Sequence, residues 1–186
     1  MGLVRSLQLK ADLLIRRGEY AEAKDLLDEA LPIVRRQLDD GLLRCRVELN
    51  LARLHRHRAE LDVAQRHLDH ALAATNLLRV WQTSLDPLVQ QARVYEGRGD
   101  LEAALAALDA GERFAREGNH DVRLARSRLL RAQFMAGAGR VEEARAVLDD
   151  IAPWCRRSGL VEFDVLQHHT AGLVALAEGD AATAIE

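Results

Sequence analysis

The stretch Gly18-Glu19-Tyr20-Ala21-Glu22-Ala23 decides the fold, because its pattern returns four more times. It reappears as Ala59-Glu60-Leu61-Asp62-Val63-Ala64 and as Gly99-Asp100-Leu101-Glu102-Ala103-Ala104. It then recurs as Gly139-Arg140-Val141-Glu142-Glu143-Ala144 and Gly179-Asp180-Ala181-Ala182-Thr183-Ala184. The turn residues heading these stretches lie 41, 40, 40 and 40 residues apart. A fixed period of that length marks a chain built from stacked supersecondary units.

Other positions keep the same phase. Seven residues before each turn stands a small residue: Ala11, Ala52, Ala92, Ala132 and Gly172. Five after it stands Ala23, Ala64, Ala104, Ala144 or Ala184, and nine after it Leu-Asp pairs recur at 27–28, 68–69, 108–109 and 148–149. Two antiparallel helices joined by a tight turn approach closely only where both present small side chains. Larger Leu and Val residues then interdigitate around that contact. Glycine at the turn suits a left-handed residue ending the first helix. The acid that often follows can cap the start of the second. Ala59 departs from the pattern, and a slightly different turn is expected there, because alanine adopts the left-handed conformation less readily than glycine.

The coarse reading is ten helices. First helices are expected near 3–17, 41–57, 82–98, 121–138 and 161–178. Second helices are expected near 20–37, 61–77, 101–116, 141–157 and from 181 on. Turn chemistry falls at Asp39-Asp40-Gly41, Glu117-Gly118-Asn119 and Ser158-Gly159. Pro87 either starts the fifth helix late or bends it.

Composition agrees. Apolar residues are 48% and charged residues 30%, with aromatics at only 4%, a mixture that favours helices over sheets. The formal net charge of -3 argues against a general nucleic-acid binder. Of 26 basic residues only Lys10 and Lys24 are lysine, a bias that codon usage in a GC-rich genome explains as well as function does. Cys45 and Cys155, far apart in helical stretches, read as free thiols in a reducing compartment. No apolar run approaches membrane-spanning length, and no signal peptide is recognised, so a cytoplasmic location is expected. Met1-Gly2-Leu3-Val4-Arg5-Ser6 fits the loose myristoylation pattern, but Leu3, Val4 and Leu7 serve better as the apolar face of a first helix.

The small residue, the seven-residue step to Gly-acidic-apolar, and the following Ala and Leu resemble the tetratricopeptide repeat across essentially the whole chain. That resemblance implies an all-α, right-handed superhelical solenoid of antiparallel hairpins, about 4.5 repeats long. Residues 1–186 would form one domain, with units near 1–40, 41–80, 81–120, 121–160 and 161–186. The unit is longer than the usual ~34 residues. It resembles the variant of MalT-like and LuxR-type bacterial regulators and of the helical regions of CHAT-domain proteins.

The resemblance also implies a concave groove lined by first helices. Counting back from each turn, its positions fall on Arg5, Asp12 and Arg16, then Arg46, Arg53, Arg56 and His57. Asp86, Arg93 and Glu96 follow in the third repeat, and Arg126 and Gln133 in the fourth. Seven arginines against three acids suggest a groove for an acidic or carboxylate-bearing peptide. The plain alternative is solvated arginine in an arginine-rich chain. The family's chaperone-tail clamp is not expected, because Asp12 and Arg53 stand where it uses Asn and Lys.

No catalytic or cofactor motif stands out, and an enzyme is not expected. His55 and His57 lie about 200° apart around a helix and cannot share one ion. His67 and His70 share a face, with no Cys or evident carboxylate to complete a metal site. They and His168-His169 read as solvated or packing residues. Tyr95, Trp81 and Trp154 read as core. Ending one turn into the last helix leaves Leu173, Val174 and Leu176 under-covered, which suggests a longer protein or self-association through an uncapped end. The functional expectation is a protein- or peptide-binding scaffold with no cofactor, nucleic acid or membrane partner. The alternatives are a sensing segment of a bacterial transcriptional regulator and the recognition arm of a CHAT-type protease.

Overall fold

A computed structural model describes residues 2–36, 41–78 and 81–179, and among these all regular structure is helical. The helices are α1 (Gly2–Arg17), α2 (Tyr20–Arg36), α3 (Gly41–His57), α4 (Leu61–Leu78), α5 (Trp81–Gly97), α6 (Leu101–Glu117), α7 (Asp121–Gly137), α8 (Val141–Ser158) and α9 (Val161–Glu178). Their bounds match the sequence reading to within one residue, while the segment expected from 181 lies outside the described residues. Pro87 does not delay α5, which starts at Trp81 and runs through it. Pro32 and Pro153 also sit inside helices, at matching positions of α2 and α8.

The chain divides into two compact units, Met1–Arg98 and Gly99–Glu186. In the first, each helix packs on the next, and the first helices α1, α3 and α5 also pack side by side. In the second, α6 packs on α7 and α7 on α8, while α9 packs on both α7 and α8. The repeated alanines sit where close approach requires them: Ala11, Ala23, Ala64, Ala92, Ala104, Ala132 and Ala144 are wholly buried, and Ala52 is 1% exposed. Around them pack Leu14, Leu27, Val47, Leu51 and Leu54 in the first unit. In the second, Leu129, Ile151 and Phe163 form a core on which Trp154 stands edge-on at 5.1 Å from Phe163. Trp81 has its side chain outside the described residues.

Val174 is not under-covered as the sequence suggested. It is 2% exposed, packed with Leu105, Met135 and Ala144, because α9 lies across α7 and α8. Leu176, by contrast, is 61% exposed, as are Val161 at 74% and Val165 at 62% on the same helix.

The turns share one geometry. Gly18, Gly99, Gly139 and Gly179 take left-handed φ values between 77° and 82°. After α1, α3 and α7 the same two bonds close the turn, as in Glu19 N to Leu14 O at 2.9 Å with Gly18 N to Ile15 O at 3.1 Å. Ala59 corrects the expectation of a different shape. It takes φ 60°, and Glu60 N still bonds His55 O at 2.9 Å while Ala59 N bonds Arg56 O at 3.0 Å. The turn is conserved in shape, and the alanine carries the strain of a conformation that suits glycine. The anticipated carboxylate cap occurs at Asp100, which accepts from Ala103 N at 3.0 Å. Glu60 instead turns back to His55 and Arg58.

The strain at Ala59 is testable. Ala59→Gly should stabilise the protein by about 1 kcal/mol, the left-handed penalty less the extra chain entropy of glycine. An urea melt should show a higher midpoint with unchanged slope, and a lower midpoint would contradict this turn geometry.

Candidate functional site

In the first unit, α1, α3 and α5 carry a cluster of cations drawn from residues the sequence singled out. Asp12 on α1 accepts from Arg53 Nη1 at 2.6 Å and from Arg16 Nε at 2.9 Å, so one acid serves two arginines from neighbouring helices. Arg56, half-buried on α3, donates from Nη2 to His57 Nε2 at 3.0 Å, while its Nε is buried without a hydrogen-bond partner. The His57 ring stacks on Tyr20 with centroids 5.4 Å apart.

Electrostatics show that these charges feel one another. Burial holds the Arg56 guanidinium below its usual range, and Arg53 adds to the effect while Glu96 opposes it. Arg93 is lowered first by burial and then by Arg56, with Glu96 again opposing. His57 is lowered by burial, then by Arg56, Arg53 and Arg93. Arg16, Arg53, Arg56 and Arg93 thus face two acids, Asp12 and Glu96, and a positive surplus remains.

Arg5 and Arg46 are exposed on α1 and α3, and Asp86 is exposed on α5. Arg126 and Gln133 lie in the second unit. There Arg126 Nη2 bonds Glu162 at 3.1 Å, and Gln133 Nε2 donates to Thr170 Oγ1 at 3.0 Å. Tyr95, half-buried on α5, accepts through its hydroxyl from Gln91 Nε2 at 3.3 Å.

A second constellation was missed. Glu48 on α3 has a fully buried side chain, and Arg35 of α2 donates to its Oε1 from Nε at 3.2 Å and Nη2 at 3.0 Å. His67 Nδ1 donates to its Oε2 at 2.8 Å, and His70 Nδ1 lies 3.7 Å from the same oxygen. His55 stacks on His67 at 5.3 Å, nearly parallel, and donates from Nδ1 to Glu60 at 2.5 Å. Burial, the largest single influence, raises the Glu48 carboxyl, but the hydrogen bonds and charges of His67 and Arg35 together hold it below its usual range. Reading His67 and His70 without a carboxylate companion was therefore incomplete. The available signal was spacing: Cys45, Glu48, Ala52 and His55 recur at intervals that place them on one buried face of α3.

In the second unit, Glu112 of α6 is buried beside Arg131 Nε at 3.0 Å, with Arg116 at 3.0 Å on the same helix. Arg131 also pairs with Asp109, and Arg128 pairs with Asp150. These close pairs leave little unmet charge. Cys45 and Cys155 are buried free thiols. Burial first, then Asp86 and Glu48, pushes Cys45 up to about 11, with Arg46 opposing, which disfavours the thiolate at neutral pH.

Paired helices with alanine-lined contacts, stacked side by side, define a helical-hairpin repeat protein. Residues 3–76 match the family model described as tetratricopeptide repeat, and the fold of the described residues is of that kind. A solved structure described as a putative kinesin light chain from Podosopora anserina, with nearly identical TPR-like repeats, superposes with a TM-score of 0.75. It is 19% identical and covers 98% of this chain and 90% of its own. No curated protein matches by sequence.

The cation cluster makes a pH prediction. Because the folded protein lowers His57 from its ordinary 6.5, His57 contributes stability above that pH and loses it as pH falls through the folded value. An NMR titration should place the His57 midpoint below 6.5, and Arg56→Gln should raise it. A midpoint unmoved by Arg56→Gln would show that the cluster is not felt at His57.

Proposed function

We propose that this chain is a protein-interaction module whose first-helix face in the first unit holds an acidic peptide segment. Tetratricopeptide repeats are generally protein-interaction modules and typically non-catalytic scaffolds, with specificity carried by the side chains they present. The observation that carries the reading is the surplus at Arg53, Arg56, His57 and Arg93, where half-buried cations crowd one another and Arg56 Nε lacks a partner.

A carboxylate docked there accepts paired hydrogen bonds from a guanidinium and relieves repulsion already present in the free protein. Each such charge-assisted bond contributes about 1.5–3 kcal/mol when partly desolvated. Arg53 is held by Asp12 and orients the cluster. Arg56 and Arg93 make the direct contacts. The stacked rings of Tyr20 and His57 offer an adjoining surface for an apolar side chain. The buried free thiols suit a protein of a reducing compartment.

Fluorescence anisotropy with labelled peptides carrying a Glu/Asp run, against matched Gln/Asn versions, tests the reading. The acidic peptides should bind and weaken as salt rises. Arg56→Glu with Arg93→Glu should cost at least about 30-fold in affinity, whereas Arg157→Glu on α8 should cost little. Equal binding of neutral peptides, or indifference to the double reversal, would overturn it.

A further inference from the structure

Within the first unit, the Glu48 carboxylate faces two imidazole nitrogens from the next helix. We propose that Glu48, His67 and His70 bind a divalent transition cation of the zinc class, displacing Arg35 as counter-cation.

The donor geometry is the first support. One ligand atom each from Glu48, His67 and His70 lie within 4.8 Å of one another, and small side-chain rotations bring them onto a single ion. His67 and His70 are three residues apart on α4 and share its face, while Glu48 rises from α3 to meet them. Two imidazoles and one carboxylate suit zinc-class cations and do not suit magnesium or calcium, which favour oxygen donors. The protein ligands fill three positions of a tetrahedral shell and leave the fourth to water or a partner's side chain.

The second support is the orientation of the donors. His70 Nδ1 accepts from Arg35 Nη2 at 3.5 Å, so its lone pair already points at a cation. His67 Nδ1 presents its hydrogen to Glu48, and metal binding exchanges that hydrogen for the ion, with the neutral ring protonated at Nε2 instead. The parallel His55 ring, held by Glu60, backs His67 and fixes its plane.

Exposure grades outward as a loading site requires. The Glu48 side chain is 0% exposed, His67 16%, Arg35 43% and His70 50%. The Arg35 guanidinium holds the other oxygen of Glu48 and lies 3.5 Å from His70, yet it is near enough to solvent to swing clear. A divalent ion would neutralise the buried carboxylate in its place and tie α3 to α4.

Calorimetric titration of the chelator-treated full chain with zinc chloride and, separately, magnesium chloride tests this. Wild type should take up one zinc per chain and no magnesium. His70→Ala, which removes a half-exposed side chain and leaves the helical melt intact, should weaken zinc at least about tenfold. Arg35→Met should tighten zinc, because the competing cation is gone. His168→Ala with His169→Ala should leave affinity unchanged. Absence of stoichiometric zinc uptake, equal magnesium binding, or an affinity unchanged in His70→Ala would overturn the site. An unchanged or weaker affinity in Arg35→Met would overturn the displacement.

Discussion

A buried alanine at a fixed step on either side of each turn is the constraint on which the rest of the structure depends. Two helices can run close together only where no larger side chain intervenes, and the wholly buried Ala11, Ala23, Ala132 and Ala144 suit that need. The left-handed turn sets the phase by returning the second helix at a fixed rotation after the first. Because turn and contact recur together, every hairpin in a unit repeats one geometry. In the first unit this lays α1, α3 and α5 side by side, so residues about one repeat apart become neighbours. The bond from Arg53 to Asp12, 41 residues away, is a direct consequence.

Helix α3 is the centre of the first unit's charge. At about 100° per residue, Glu48 and His55 lie on one side of it, with Arg53 and His57 nearly opposite. The first side meets α2 and α4, where Arg35 pairs with a buried carboxylate and His67 hydrogen-bonds it. The second carries arginines that are only partly compensated. One buried acid with several partners and one cluster of cations with few make different chemical surfaces on a single scaffold. The second unit spends its charges otherwise: Glu112, Arg128 and Arg131 close their network among themselves and with Asp109 and Asp150.

Helix positions were legible in the sequence because a repeat prints its geometry as spacing. Counting from the turn also put Arg53, Arg56, His57 and Arg93 on the first helices, where their charges lie near one another. What could not be read was where a long side chain ends. Arg126 and Gln133 were grouped with the groove, yet their tips bond Glu162 and Thr170 on the next first helix. Glu48 was missed because its partners come from two other helices, at separations that no period marks. Ala59 was misjudged because propensity weighs one residue, whereas the packed hairpin on either side holds that turn in the shape of its glycine counterparts.

The most direct test of the account is an NMR titration of the full chain with an acidic peptide, following backbone amides and arginine Nε–Hε signals. The account requires saturable shifts concentrated at Arg53, Arg56, His57 and Arg93. Shifts confined to other helices, such as the exposed apolar side of α9, or no saturable shifts at the four cations, would contradict it.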